Sequence, residues 1–221
     1  MTQLYLFDID GTLVNAHGSG RVAFDAVLAE QHGIDSASAG VRYGGKTDHN
    51  IVDEIFATKV GRAMTETERE AFIDAYVPRL HGELVKTGVE VIPGVTSALA
   101  YLAPRTLALG IATGNVRRGA AAKLAHAKLD HWFSFGGYAC DAPVRADLVA
   151  VAIQRGRERG LAGEVVVVGD TVHDIAAARA NGAIVVAVAT GSDSAEMLRD
   201  ADAVFASLDE LPAWHEARFG Y

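Results

Sequence analysis

The sequence predicts an α/β fold, a parallel sheet carrying an inserted helical subdomain, and three observations predict it. Short β-branched and apolar runs alternate with longer segments of helical periodicity, the pattern of parallel strands joined by crossover helices. One region breaks that alternation: between the first strand and Pro93-Gly94 there is no strand signal, only helical patterns. Length agrees, because 221 residues are about one and a half domains at the usual ~150 residues each, which fits one core domain with a sizeable insertion.

The core is expected over residues 1–14 with 87–221, and the helical insertion over 15–86. Residues 4–7 are an apolar run stopping at Asp8 and form the first strand. In the insertion, Val22, Val27 and Leu28 pattern a first helix, and Ile51, Val52, Ile55 and Phe56 recur at i, i+1, i+4 and i+5 in a second. Thr65 with Glu68 is a capping box that opens a third helix, whose buried stripe is Phe72, Ile73, Tyr76, Val77, Leu80 and Leu84. Back in the core, a helix over 96–103 leads to a strand over 107–113, a helix over 116–129 and a strand over 132–135, where Trp132 and Phe135 are core aromatics. A helix over 146–159 precedes the all-valine strand 165–168. A helix over 175–181, a strand over 184–189, a helix over 194–200 and a weak strand over 203–205 complete the alternation. Gly114, Gly160, Gly169 and Gly182 punctuate the junctions, as turns and helix C-termini require.

Composition narrows the function. Twenty basic against 28 acidic residues give a net charge of −8, which repels a polyanion, and Arg117, Arg118 and Lys123 form no basic patch, so nucleic acid is not expected as a partner. Cys140 stands alone, which excludes an intrachain disulfide and makes a reducing cytoplasm the expected compartment. The N-terminal apolar run is too short for a signal peptide. The longest unbroken apolar stretch, 183–189, is seven residues against the ~20 a bilayer requires, so no membrane partner is expected.

The chemistry is concentrated in a few polar positions. Asp8 and Asp10 flank Ile9 at the end of the first strand, with Gly11-Thr12 turning after them. In extended chain, residues i and i+2 point the same way, so both carboxylates face one spot; alone, the motif reads equally well as a strand ending in a polar turn. Asp170 ends the valine strand and Asp174 follows one helical turn later on the same face. Asp8, Asp10 and Asp170 thus all fall at carboxyl ends of strands, where open α/β sheets bind ligands. Crowded carboxylates repel unless they share a cation, and a hard divalent ion with oxygen ligands, Mg²⁺ above all, suits them. Thr113-Gly114-Asn115 places a hydroxyl and two or three free backbone N–H groups at a helix N-terminus, an anion site; alone, it is also an ordinary helix cap.

These residues carry a family resemblance. FDIDGTL (7–13), ATGN (112–115) and VVGDTVHDIAAARANGA (167–183) resemble the motifs of the haloacid dehalogenase superfamily, most closely its phosphoglycolate phosphatase-like hydrolases. The resemblance covers nearly the whole chain and implies a Rossmann-like core with a helical cap. It implies that Asp8 is the nucleophile on phosphorus, forming an aspartyl-phosphate, and that Asp10 is general acid and then base. It further implies Mg²⁺ held by the Asp8 carboxylate, the Asp10 backbone carbonyl and Asp170, with Asp174 nearby, directly or through water. Thr113, Gly114 and Asn115 would bind the phosphoryl oxygens. Where the family places a Lys at the start of the next helix, this chain has Arg145, which can bind phosphate in a bidentate fork but is not interchangeable with Lys; a surface Arg is the other reading. Gly44-Gly45-Lys46 resembles a cap loop lowered over the site with Lys46 touching substrate, or else is a plain loop with a solvated Lys. His17 and Arg21 either line the pocket or face solvent, and His173 is expected to be exposed.

The expected activity is Mg²⁺-dependent hydrolysis of a small phosphate ester, phosphoglycolate-like substrates favoured. Phosphonate hydrolysis, for which Lys46 could form a Schiff base, sugar phosphate mutation on the same core and non-catalytic binding of a phospho-ligand stand as alternatives. The chain is expected to be a monomer or a homodimer.

Overall fold

The computed structural model describes residues 3–106, 108–161 and 163–220. In chain order the elements are β1 (Leu4–Phe7), β2 (Val14–Asn15), α1 (Ser19–His32), α2 (Asp48–Val60), α3 (Glu66–Thr87), β3 (Glu90–Val91), α4 (Val95–Leu102), β4 (Leu109–Ala112), α5 (Arg117–His126), β5 (Phe133–Gly137), α6 (Arg145–Arg157), β6 (Val165–Gly169), α7 (Val172–Ala180), β7 (Ile184–Val188), β8 (Ala203–Phe205) and α8 (Leu211–Phe219).

Six strands form one parallel sheet in the order β5-β4-β1-β6-β7-β8. The chain steps from β1 to β4 and β5, then crosses back past β1 to β6. The progression therefore reverses at β1, and the crevice beyond the carboxyl ends of β1, β4 and β6 is the topological switch point where α/β sheets hold ligands. The period-2 geometry of a strand sends Tyr5 and Phe7 to one face and Leu4 and Leu6 to the other, and both faces are buried. Leu99 of α4, Leu124 of α5 and Leu211 of α8 cover the first face; Leu148 of α6 and Ile175 of α7 cover the second.

The helical lobe lies between β2 and β3 and has its own core, with Phe24 edge-on to Tyr76 at 4.6 Å and to Phe72 at 5.0 Å between ring centroids. Thr65 and Glu68 form the expected capping box of α3. Of the expected stripes, Ile51, Val52, Ile55 and Phe56 are buried. Ile73 and Val77 are half-buried, and Val22 is 50% exposed because the buried face of α1 runs through Ala23, Phe24, Val27 and Leu28.

Other expectations need correction. The lobe is bracketed by an antiparallel ribbon, Val14 opposite Val91 and Asn15 opposite Glu90, where no strand was expected, since two residues are too few to show alternation. Residues 194–200 form turns rather than a helix: they carry one i→i+4 bond, from Leu198 N–H to the Ser194 carbonyl at 3.1 Å. Helix α8 lies where no element was expected; its His215 is buried against the Tyr5 hydroxyl at 2.7 Å. Strand β4 is shorter than expected, and Leu107 lies outside the described residues. Helix α5 ends at His126 because Lys128 turns left-handed, φ 58°. Trp132 closes a 3₁₀ turn, and β5 instead runs on to Gly137, where a Cβ would lie 1.9 Å from the Leu148 carbonyl of α6. No helix among the described residues is long and apolar enough to cross a membrane.

Candidate active site

A cavity of about 580 Å³ opens at the switch point, between the strand ends and the helical lobe. Its floor starts at Asp8, whose N–H continues the β1–β6 ladder onto the Val168 carbonyl at 2.9 Å. The chain then turns sharply at Gly11, φ 82°, where a Cβ would also strike Asp170 Oδ2 at 2.5 Å; only glycine meets both demands. Asp170, at the end of β6, is held by the Thr12 hydroxyl on Oδ1 at 3.2 Å and the Ser192 N–H on Oδ2 at 3.3 Å.

Asp174 sits in the first turn of α7, in a capping box with Thr171. Its Oδ2 accepts the Thr171 N–H at 3.1 Å and hydroxyl at 2.7 Å, while its Oδ1 accepts Arg145 Nε at 3.0 Å and Nη2 at 2.7 Å. Arg145 Nη2 also lies 3.0 Å from Asp8 Oδ2, and its side chain is 10% exposed, so it is a buried partner of the floor and not a surface residue. One carboxylate oxygen each from Asp8, Asp170 and Asp174 lie within 4.8 Å of one another, all buried.

Three buried carboxylates against one guanidinium leave the floor negative. Burial, offset by Arg145 and reinforced by Asp174 and Asp10, pushes the Asp8 carboxyl up to about 6. Burial, with Asp174 and Asp8 beside it, pushes Asp170 up to about 8. Hard oxygen donors, all buried and short of positive charge, fit a divalent cation of the Mg²⁺ type. Asp8 and Asp170, with Asp174 beside them, are the residues that could hold it.

Asp10 differs from the reading in which it shares one spot with Asp8. The strand stops at Phe7, and the Ile9 carbonyl gathers the N–H groups of Leu13 and Val14 in a tight turn. Both aspartates line the cavity, yet the Asp10 carboxylate turns to Lys123, whose Nζ is 2.6 Å from Oδ2 and 2.8 Å from Asn115 Oδ1.

The loop after β4 has fewer free amides than expected. Thr113 donates its N–H to the Gly137 carbonyl at 3.1 Å, Asn115 to the Thr113 hydroxyl at 3.3 Å and Val116 to Asp48 Oδ2 at 2.8 Å. Gly114 N–H has no partner among the described residues. Neither Thr113 nor Asn115 caps α5, whose N-cap is Val116; Asp48, reaching over from the helical lobe, supplies the acceptor instead.

The lobe approaches through residues 42–50. Asp48 N–H donates to the Gly114 carbonyl at 2.7 Å, and a Cβ on Gly114 would lie 2.3 Å from the Lys46 carbonyl. Lys46 lines the cavity and is ion-paired with Glu54. Arg21 also lines it, stacked 4.7 Å over the Tyr43 ring; His17 does not, and lies 3.8 Å from Glu90. His173 is exposed, as expected, under Gly45.

Sequence reasoning missed two buried charged residues that line the cavity, Lys123 and Asp48. Lys123 had a signal: in the Ala-rich helix its spacing from Ala120 and Leu124 puts it on the buried face. Asp48 had none, because its partners are far away in the chain.

The profile of the family described as haloacid dehalogenase-like hydrolase matches residues 5–188. A phosphoglycolate phosphatase of Synechococcus elongatus is 30% identical over 197 residues, 89% of this chain and 88% of the relative. Another of Pseudomonas syringae pv. syringae is 29% identical over 207 residues, 86% and 71% of the two chains. Among solved structures, a hydrolase from Pseudomonas syringae superposes with TM-score 0.73 at 23% identity over all of both chains. A haloacid dehalogenase-like family hydrolase from Streptococcus pneumoniae does so with TM-score 0.67 at 21% identity, over 97% and 98%.

Proposed function

From its place in the haloacid dehalogenase-like hydrolase family, to which this chain belongs, we propose that it is a Mg²⁺-dependent phosphatase of a small phosphorylated metabolite, phosphoglycolate-like esters favoured. The observation that carries this reading is the buried triad of Asp8, Asp170 and Asp174, with oxygens within 4.8 Å and, among the described residues, Arg145 as its one cationic partner.

Asp8 is the nucleophile: an Oδ attacks phosphorus, the bond to the ester oxygen breaks, and an aspartyl-phosphate forms. Asp10 gives a proton to the leaving alkoxide and then takes one from the water that attacks the phosphoryl group, breaking the Asp8 Oδ–P bond and releasing inorganic phosphate with the free Asp8 carboxylate. Arg145 keeps Asp8 oriented and offsets charge as the dianionic phosphoryl group arrives, with Gly114 N–H and the Thr113 hydroxyl on its oxygens. Asp8, Asp170 and the Asp10 carbonyl, with Asp174 adjacent, would hold the ion, which when bound supplies charge neutralisation and a fixed in-line geometry. The helical lobe of 15–86 acts as a cap over the 1–14 plus 87–221 core, and Lys46 meets an anionic group of the substrate.

The test is release of inorganic phosphate from a metabolite panel that includes phosphoglycolate. Hydrolysis should vanish in chelator and return with Mg²⁺; full activity in chelator, or transfer of the phosphoryl group to a sugar phosphate in place of water, contradicts the reading.

A further inference from the structure

Lys123 is a buried cation to which the chemistry above gives no task. Its side chain is 5% exposed, and the residues sharing its face of α5 are Gly119, Ala120 and Leu124, a setting in which an apolar side chain would pack at no electrostatic cost. Burying an ammonium requires compensation by partners. Lys123 finds it in Asp10 Oδ2 at 2.6 Å and Asn115 Oδ1 at 2.8 Å.

The pairing is lopsided. The Asp10 side chain is 43% exposed and stands on a turn, and its carboxylate has no hydrogen-bond donor other than Lys123 among the described residues. Asn115, by contrast, is fixed at both ends of its backbone, N–H to the Thr113 hydroxyl and carbonyl to the Ala139 N–H at 3.0 Å. Asn115 therefore fixes the ammonium, and the ammonium fixes Asp10.

We propose that Lys123 is a positioning residue for Asp10, holding Oδ2 against the α5 side of the cavity so that Oδ1 meets the leaving-group oxygen. The inference rests on the reading of Asp10 as the acid and base. In the first step the proton passes from Oδ1 to the departing alkoxide; in the second, Oδ1 takes a proton from water. Lys123 serves as a hydrogen-bond donor to Oδ2 and leaves Oδ1 free for that proton.

The experiment is a double-mutant cycle between Asp10→Asn and Lys123→Met, read on an alkyl ester, phosphoglycolate, and an aryl ester, p-nitrophenyl phosphate, whose leaving group scarcely needs a proton. Lys123→Met should lower kcat on the alkyl ester by about 10 to 10² fold, the scale of a misplaced catalytic group, with a smaller loss on the aryl ester. It should cause no further loss in the Asp10→Asn background, and inhibition by inorganic phosphate should stay unchanged. Lys123→Gln, which keeps a donor, should recover part of the loss and carries the same cycle if the Met variant does not fold. Additive losses, equal losses on the two esters or weakened phosphate inhibition would overturn the positioning role while a leaving-group-selective Asp10→Asn left the acid–base reading standing. An Asp10→Asn variant with no leaving-group selectivity would overturn both.

Discussion

On the core side of the cavity the buried pair Asp170 and Asp174 is held by several bonds. Asp174 takes two from Thr171 and two from Arg145, and Asp170 takes two donors while two glycines leave room for it. On the helical-lobe side, Lys46 is 30% exposed and has Glu54 as its ion-pair partner. Arg21 rests on a tyrosine ring and reaches the Val41 carbonyl at 3.3 Å, with no carboxylate within 4.0 Å among the described residues. The floor is over-determined and buried; the roof is half-exposed and loosely tied. Such a division suits a fixed reaction centre under an adjustable recognition surface, because electrostatic preorganisation requires immobile groups and substrate entry requires mobile ones.

Substitutions on the two sides should therefore differ in kind. The largest effect is expected from Asp8→Asn, which removes the proposed nucleophile while keeping its shape: turnover should fall on the order of 10³-fold or more on every substrate, with the melting temperature little changed. Turnover close to that of the parent protein would place the nucleophile elsewhere. Next comes Gly191→Ala, since a Cβ there would lie 1.6 Å from Asp170 Oδ2 and must displace that carboxylate. Titration with Mg²⁺ should show apparent affinity weakened by about 10 to 100 fold, as when a metal ligand loses its support. An unchanged Mg²⁺ requirement would detach Asp170 from the metal.

On the lobe side, Lys46→Ala should be selective. Its half-solvated charge and its Glu54 partner limit the expected loss to about tenfold in kcat/KM on a substrate with a second anionic group, with p-nitrophenyl phosphate unaffected. A parallel fall on both substrates would move Lys46 into the chemistry or the fold.

The smallest effect concerns Asp48, the lobe residue that caps α5. Burial, opposed by Lys123 and by the Val116 N–H, pushes its carboxyl up to about 6. Because that lies above the unfolded value of about 4, the folded state binds the extra proton between the two, and the contribution of Asp48 to stability falls as pH rises from about 4 to 6. The melting temperature of the parent protein relative to Asp48→Asn should decline through that window by a few degrees. A flat difference would mean that Asp48 ionises there as freely as in the unfolded chain.

The floor was legible in the sequence because its signals are local. Asp8 ends an apolar strand, Asp170 ends a run of valines, and Asp174 follows Asp170 one helical turn later, so each position follows from neighbours a few residues away. Arg145 was legible as a cation at a helix start, though its fork on Asp174 and Asp8 was not. Asp48 was invisible because its acceptor role depends on Val116, 68 residues away, and Lys123 was hidden by reading its helix for charge patches instead of for a charge on the buried face. The β2–β3 ribbon is too short to pattern. Residues 194–200 have helical composition, but the preceding Asp193 is tied to the Val172 N–H and Arg42 and Leu198 is buried against the core, contacts that hold the segment in turns.

The floor is most directly tested by a single-turnover reaction with a ³²P-labelled phosphate ester and Mg²⁺, quenched in acid and mapped by peptide. Label on the peptide containing Asp8, lost in chelator and absent from Asp8→Asn, is the expected result. Stoichiometric release of phosphate with no labelled protein at any quench time, or label on a peptide without Asp8, would contradict it.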